Sequence, residues 1–235
     1  MKYKAILFDL DGTLLPMTNE TLEGLYLPSL SQKLSEYVKP DLLMKNMWES
    51  LSVMMSDSST LSNEIVFFDA FRDRMGNDLV NHLEPMFYTY YENEFNVLLK
   101  GVDDNSMMVE AIKILKEKGY RLVIATNPMF PEIAVSKRIE FSDLDESDFE
   151  YVSNYSKHTA CKPNVKFYEE VLAAIDLKPE DCLMVGNDAY EDMIVKDLGM
   201  DAWLLTDYLI DGKYEDKADW KGTRLEFLEK VKEDL

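Results

Sequence analysis

Three short, almost wholly apolar runs recur along the chain: AILF at 5–8, RLVIAT at 121–126 and CLMVG at 182–186. Each is partly β-branched and each ends at a polar or small residue. Continuous apolar runs of this length fit strands buried on both faces, the kind found in parallel sheets. A weaker fourth run, DAWLL, occupies 201–205. Helical patterns lie between them. The segment 105–119 puts Val109, Ile112 and Leu115 on one face and stops at Gly119; 164–177 and 189–199 read alike. A last helix starts at Thr223 with Glu226 three residues on, the spacing of a capping box. Strands alternating with helices imply right-handed crossovers. The expected fold is therefore α/β, a Rossmann-like parallel sheet covered on both sides.

Residues 16–98 break this rhythm. They hold no strand run, only amphipathic helical patterns separated at Pro40, at SDSST (56–60) and at GND (76–78). Trp48, Phe67, Phe68, Phe71, Phe87, Tyr88, Tyr90, Tyr91 and Phe95 fall in this stretch, and we read them as the interior of a small helical bundle. The expected division is a catalytic core of 1–15 and 99–235, with 16–98 inserted as a helical cap.

Charge narrows the partners. The chain of 235 residues carries a formal net charge of −20. Such a field repels nucleic acid and anionic membranes, so neither is expected as a partner. It also repels anionic substrates, so an anion site here needs a metal or a local cation. Cys161 and Cys182 have no metal-ligand spacing, and so few cysteines fit a reducing compartment. Asp9 cuts the N-terminal apolar run too short for a signal peptide, and no run reaches the ~18 residues of a membrane span. The expectation is a cytoplasmic protein of unknown oligomeric state.

In open parallel sheets, ligands bind beyond the carboxyl ends of the strands. The residues that follow the runs are Asp9, Asp11, Gly12 and Thr13; then Thr126 and Asn127; then Asn187, Asp188, Glu191 and Asp192. Lys162 precedes Pro163 at the head of a helical pattern. Carboxylates, a hydroxyl, an amide and one lysine would thus converge on one edge. Alone, Asp11-Gly12 is also a common turn pair, and Asp188, Glu191 and Asp192 suit the acidic first turn of a helix.

Taken in order, these segments resemble the haloacid dehalogenase-like hydrolase superfamily. DLDGTLL matches its first motif, ATN its second, KPNVKFY its lysine motif and VGNDAYEDM its acidic fourth motif. The helical insert resembles the mobile cap of subgroup I, the phosphoglycolate-phosphatase-like members. The resemblance implies phosphoryl transfer through an aspartyl-phosphate. Asp9 would be the nucleophile, and Asp11 the acid and then the base. Gly12 would let the backbone approach the phosphate, Thr126 and Asn127 would bind it, and Lys162 would supply positive charge. The implied metal is Mg²⁺, held by Asp9, the Asp11 backbone carbonyl and Asp188, with Asp192 acting through water or on Lys162. The fourth motif departs from the family's common form at Asn187, so a register using Asn187 and Glu191 stays open beside Asp188 and Asp192.

Asp11 argues against the family's dehalogenases and phosphonate hydrolases, which lack an aspartate there. Hydrolysis of a small phosphorylated substrate and phosphosugar mutation remain, with a non-catalytic binding protein as a third reading. A mutase holds a bisphosphorylated intermediate, yet 16–98 carries five Lys and Arg against thirteen Asp and Glu. That balance favours the phosphatase.

Overall fold

The computed structural model describes residues 2–235. Its six strands are β1 (Ala5–Phe8), β2 (Arg121–Ile124), β3 (Tyr151–Val152), β4 (Cys182–Gly186), β5 (Asp201–Leu205) and β6 (Trp220–Gly222). They form one parallel sheet in the order β3-β2-β1-β4-β5-β6. The four expected runs supply the four central strands. The edge strands β3 and β6 are two and three residues long and leave no apolar run to read.

Three expected helices form: α5 (Ser106–Glu117), α7 (Val165–Ile175) and α8 (Arg224–Glu233). The capping box of α8 is made in both directions: Glu226 N donates to Thr223 Oγ1, and Thr223 N donates to Glu226 Oε2. Strand side chains alternate between two cores. Ile6, Phe8, Leu122, Ile124, Leu183 and Val185 point into the core that holds Ile112 of α5 and Phe227 of α8. Ala5, Leu7, Val123, Cys182 and Met184 point the other way, into the core that holds Phe167 and Val171 of α7. Both sheet faces are buried, which is why the runs are continuous rather than alternating.

The helix expected over 189–199 does not form. Only a 3-10 stretch, Met193–Leu198, is helical there. Asp188 Oδ1 accepts from the N–H groups of Tyr190 and Glu191, and Asp192 Oδ2 accepts from Asp188 N. These side-chain bonds take over the donors that a first helical turn would use. One helix was not anticipated: α6 (Glu132–Phe141), after the β2 loop.

Between β1 and α5 lie α1 (Asn19–Leu34), α2 (Pro40–Ser56), α3 (Asn63–Met75) and α4 (Asn77–Asn93), then a 3-10 stretch, Glu94–Gly101. Their breaks fall at the expected punctuation, with Pro40 opening α2 and Gly76 parting α3 from α4. Ser62 caps α3 by accepting from Ile65 N. Phe71, Tyr90 and Phe95 are fully buried among these helices, but Trp48 is 44% exposed and Tyr88 38% exposed. Those two aromatics correct the reading that all of them fill a bundle interior. Where the chain passes out to the helices and back, Asp103 N donates to Pro16 O at 3.1 Å. No helix among the described residues is long and apolar enough to cross a membrane.

Candidate active site

Sheet register sets the site. Phe8 pairs with Ile124 and with Val185, so β1, β2 and β4 end level with one another. Asp9, Thr126, Asn127, Asn187 and Asp188 therefore emerge at one edge, facing a cavity of about 250 Å³. Asp11, Glu191 and Asp192 line it too, and α1–α4 close its far side.

The loop after β1 is a tight turn. Gly12 N and Leu15 N donate to Leu15 O and Leu10 O at 2.8 and 2.7 Å. Gly12 sits at φ +81°, and a Cβ there would lie 2.4 Å from Asn187 Nδ2. The position needs glycine for its backbone angle and for the close passage of Asn187. Gly12 is not among the residues that line the cavity, and the close approach its missing Cβ permits is to Asn187. Asn187 ties two loops together. It accepts from Thr13 Oγ1 at 2.9 Å and donates to Tyr208 O at 2.7 Å. Arg224 of α8 reaches the Thr13 carbonyl from behind.

Lys162 does not line the cavity either. It is 2% exposed, and its Nζ donates to Asp9 Oδ1 at 2.8 Å and to Asp192 Oδ1 at 2.6 Å. Burial works against its charge, but Asp192 and Asp9 outweigh burial and hold the ammonium well above its usual pKa. Asp9 is pushed up to about 8 by burial, against the pull of Lys162. A cation placed on its other oxygen would reverse that push. Asp192 fits against Gly186, where a Cβ would lie 2.1 Å from Asp192 Oδ2.

Thr126 is 2% exposed, and its carbonyl accepts from Ser153 Oγ at 2.7 Å. The Asn127 amide is spent on the protein. It donates to Glu191 Oε2 at 3.0 Å and accepts from Lys162 N at 3.2 Å. Burial raises Glu191 to about 6, with Lys162 opposing. Asp188 is also raised by burial, against the two N–H groups that its Oδ1 accepts.

One site residue had no sequence signal. Arg138 of α6 is fully buried and its Nη1 pairs with Asp11 Oδ2. Its guanidinium lies over the Phe130 ring, 4.4 Å from the centroid. Asp11 Oδ1 and Arg138 Nη2 are both buried without a hydrogen-bond partner, and both residues line the cavity. Unpaired buried polar atoms are costly, so these two are placed to take a polar partner from the cavity, water or a ligand atom. Burial raises Asp11, while Arg138 and Lys162 pull it down. A basic residue in the last turn of a helix reads as a solvated dipole partner, and only the tertiary fold turns it inward.

The donor set suits a hard dication. Asp9 and Asp188 each keep one carboxylate oxygen free of hydrogen bonds from the described residues. Among the described residues no three His, Cys, Asp or Glu side chains gather tightly enough to hold a metal unaided. A site of two carboxylates and a backbone carbonyl, completed by water and phosphate, requires no third side chain.

The chain is 26% identical to pyrophosphatase PpaX of Bacillus mycoides over 193 residues, 81% of this chain and 78% of that relative. A phosphatase structure from Thermococcus onnurineus superposes with a TM-score of 0.62 at 24% identity, covering 98% of both chains. A 2-haloacid dehalogenase from Pseudomonas syringae gives 0.63 at 20%, covering 97% of both. Likeness of fold therefore does not choose between carbon–halogen and phosphoester chemistry. The haloacid dehalogenase-like hydrolase model matches residues 3–194, and with four motifs gathered on one sheet edge the chain belongs to that family of hydrolytic enzymes.

Proposed function

We propose that the protein is a Mg²⁺-dependent phosphatase acting on a small phosphorylated metabolite in the cytoplasm. The observation that carries this reading is the pair of unpartnered buried atoms, Asp11 Oδ1 and Arg138 Nη2, beside Asp9. A family member that cleaves carbon–halogen bonds has no leaving oxygen to protonate, whereas an ester oxygen needs an acid at that point. The pyrophosphatase name of the relatives supports phosphoryl transfer in general.

In the first step Asp9 attacks phosphorus in line and Asp11 gives its proton to the departing alcohol oxygen. Arg138 steadies the charge that Asp11 acquires. In the second step ionised Asp11 takes a proton from water, the water oxygen attacks the aspartyl-phosphate, and inorganic phosphate leaves with Asp9 restored. Thr126 offers its hydroxyl to a phosphoryl oxygen. Lys162 pulls Asp9 toward its ionised form and is itself held by Asp192. Asp9, the Asp11 carbonyl and Asp188 would hold the metal, which supplies charge neutralisation for the equatorial oxygens. The Asp188–Asp192 register is favoured over Asn187–Glu191, because Asn187 is committed to Thr13 and Tyr208 and Glu191 to Asn127.

Residues 16–98 act in this scheme as a cap over a core of 1–15 and 99–235, hinged near Leu15–Thr18 and Leu98–Val102. Closure would exclude bulk water from the first step. The deciding experiment is phosphate release from an aryl phosphate with Mg²⁺ or with EDTA, for the native chain and for Asp9→Asn. Release that needs both Mg²⁺ and Asp9 is expected. Release unchanged in Asp9→Asn would refute the mechanism, and no release from the native chain would favour a binding protein. A mutase would instead convert one sugar phosphate into another with little free phosphate.

A further inference from the structure

The phosphate end of the cavity is polar, but the opposite wall is largely hydrocarbon, with Asn19, Glu23 and three tyrosine hydroxyls as its polar groups. Met47, Trp48 and Leu51 of α2, Phe67 and Phe68 of α3, and Phe87 of α4 all face it. Among the described residues, the only charged wall residue from α1–α4 is an acid, Glu23. Cations on these helices are engaged elsewhere: Lys33 with Glu94 at 2.5 Å, Arg72 with Glu84 at 2.8 Å, and Arg74 with Glu49 at 3.3 Å.

The tyrosines on the wall are no better placed to greet a polar ligand. Tyr26 and Tyr91 share a hydrogen bond of 2.9 Å between their own hydroxyls, and those of Tyr88 and Tyr155 lie 3.1 Å apart. Apart from the Asn19 amide and the Trp48 indole N–H, such a wall offers few free donors, so a sugar or carboxylate leaving group would bury most of its oxygens against rings, which disfavours it. A second phosphate would meet Glu23 without a facing lysine or arginine. Trp48, at 44% exposed, presents an indole to the cavity that an apolar group would cover.

Resting on the phosphatase reading above, we propose that the substrate is the monophosphate ester of an uncharged, hydrocarbon-rich alcohol, whose carbon skeleton lies on the α2–α3–α4 wall. Sugar phosphates, bisphosphates, phosphoglycolate and pyrophosphate are poor substrates for the same reason.

The test is a homologous series of n-alkyl phosphates from ethyl to hexyl, whose leaving groups differ little in basicity. Each methylene that reaches the wall should raise kcat/KM about fourfold, until the cavity is filled. Glucose 6-phosphate, glucose 1,6-bisphosphate, 2-phosphoglycolate and pyrophosphate should all fall below n-hexyl phosphate. Leu51→Lys, at a half-buried wall position, should flatten the alkyl series and raise the relative rate on the bisphosphate. Binding is read separately, as the thermal upshift produced by n-hexylphosphonate against ethylphosphonate. A flat or falling series, or equal upshifts from the two phosphonates, would overturn the proposal. A larger upshift from the hexyl compound with no turnover of any ester would sink the phosphatase reading and leave the apolar pocket standing.

Discussion

At the scale of single residues, the site turns on two carboxylates with different neighbours. Asp9 shares Lys162 with Asp192, whereas Asp11 faces Arg138. In the proposed mechanism Asp11 needs its proton for the first step. Burial holds its carboxyl above the usual range, so the acid form persists to higher pH than in an exposed aspartate, while Arg138 favours the carboxylate and opposes this. Replacing Arg138 with methionine removes the opposing charge and roughly preserves the buried volume. The pKa of Asp11 should then rise further, so the alkaline limb of kcat/KM moves to higher pH while the maximal rate falls. A pH–rate profile with the limb unmoved, or moved down, would count against Asp11 as the acid. His158 offers a stability counterpart. It is fully buried between Tyr151 and Glu170, and burial lowers its pKa below the ordinary 6.5 despite Glu170. The unfolded chain therefore binds the extra proton first. His158 thus makes stability fall as pH drops below about 6.5, with the loss growing until the folded pKa is passed. Urea melts at pH 7.5 and 5.5 should show this fall shrinking in His158→Gln.

At the scale of elements, the β4 loop explains what could and could not be read in advance. The apolar run CLMVG announced its strand, and the acids behind it announced chemistry. The helical pattern of 189–199 misled, because periodicity does not register that Asp188 and Asp192 turn back on the backbone. Edge strands β3 and β6 were illegible for want of length. Arg138 was illegible because burial of a helical arginine depends on what packs over it. The motif aspartates were legible because strand ends at one level bring them together in any parallel sheet of this order, and Lys162, in the loop before α7, was legible only through the resemblance of KPNVKFY to the family's lysine motif. Gly186 makes the same point in packing terms. A methyl group there would fall 2.6 Å from Asp192 Cβ as well as onto its carboxylate, and Asp192 is fully buried. Gly186→Ala should therefore push Asp192 off Lys162, lower stability by about 1–3 kcal/mol and cut kcat at least about tenfold. Thr223→Ala, which removes the α8 cap at a residue that does not line the cavity, should cost about 1 kcal/mol and leave kcat alone. Thermal melts and initial rates on both variants separate the two effects. Equal losses of activity would mean that the Gly186 contact has no special link to the site.

For the whole molecule, the dominant fact is the net charge of −20 around a site proposed to receive a phosphate dianion. Two fields oppose each other at different ranges. The surface acids repel the substrate over tens of ångströms in dilute buffer, while the cations that attract it are short-range: Arg138 is buried against Asp11 and Lys162 sits behind Asp9. Salt screens the first far more than the second, since the Debye length falls from about 30 Å at 0.01 M to about 8 Å at 0.15 M, and buried pairs are little affected. The encounter rate should therefore rise as salt is added, the opposite of an enzyme whose surface steers its substrate in. With Mg²⁺ saturating throughout, kcat/KM for an alkyl phosphate should increase by roughly twofold between 10 and 150 mM NaCl, while kcat, set after the substrate is enclosed, stays flat. The neutral part of the substrate gives the control. The increase should be the same for ethyl and hexyl phosphate, because both carry one dianion and differ only in the hydrocarbon that meets the wall. A fall in kcat/KM with salt would show that cations near the entrance, rather than the acidic surface, govern the approach.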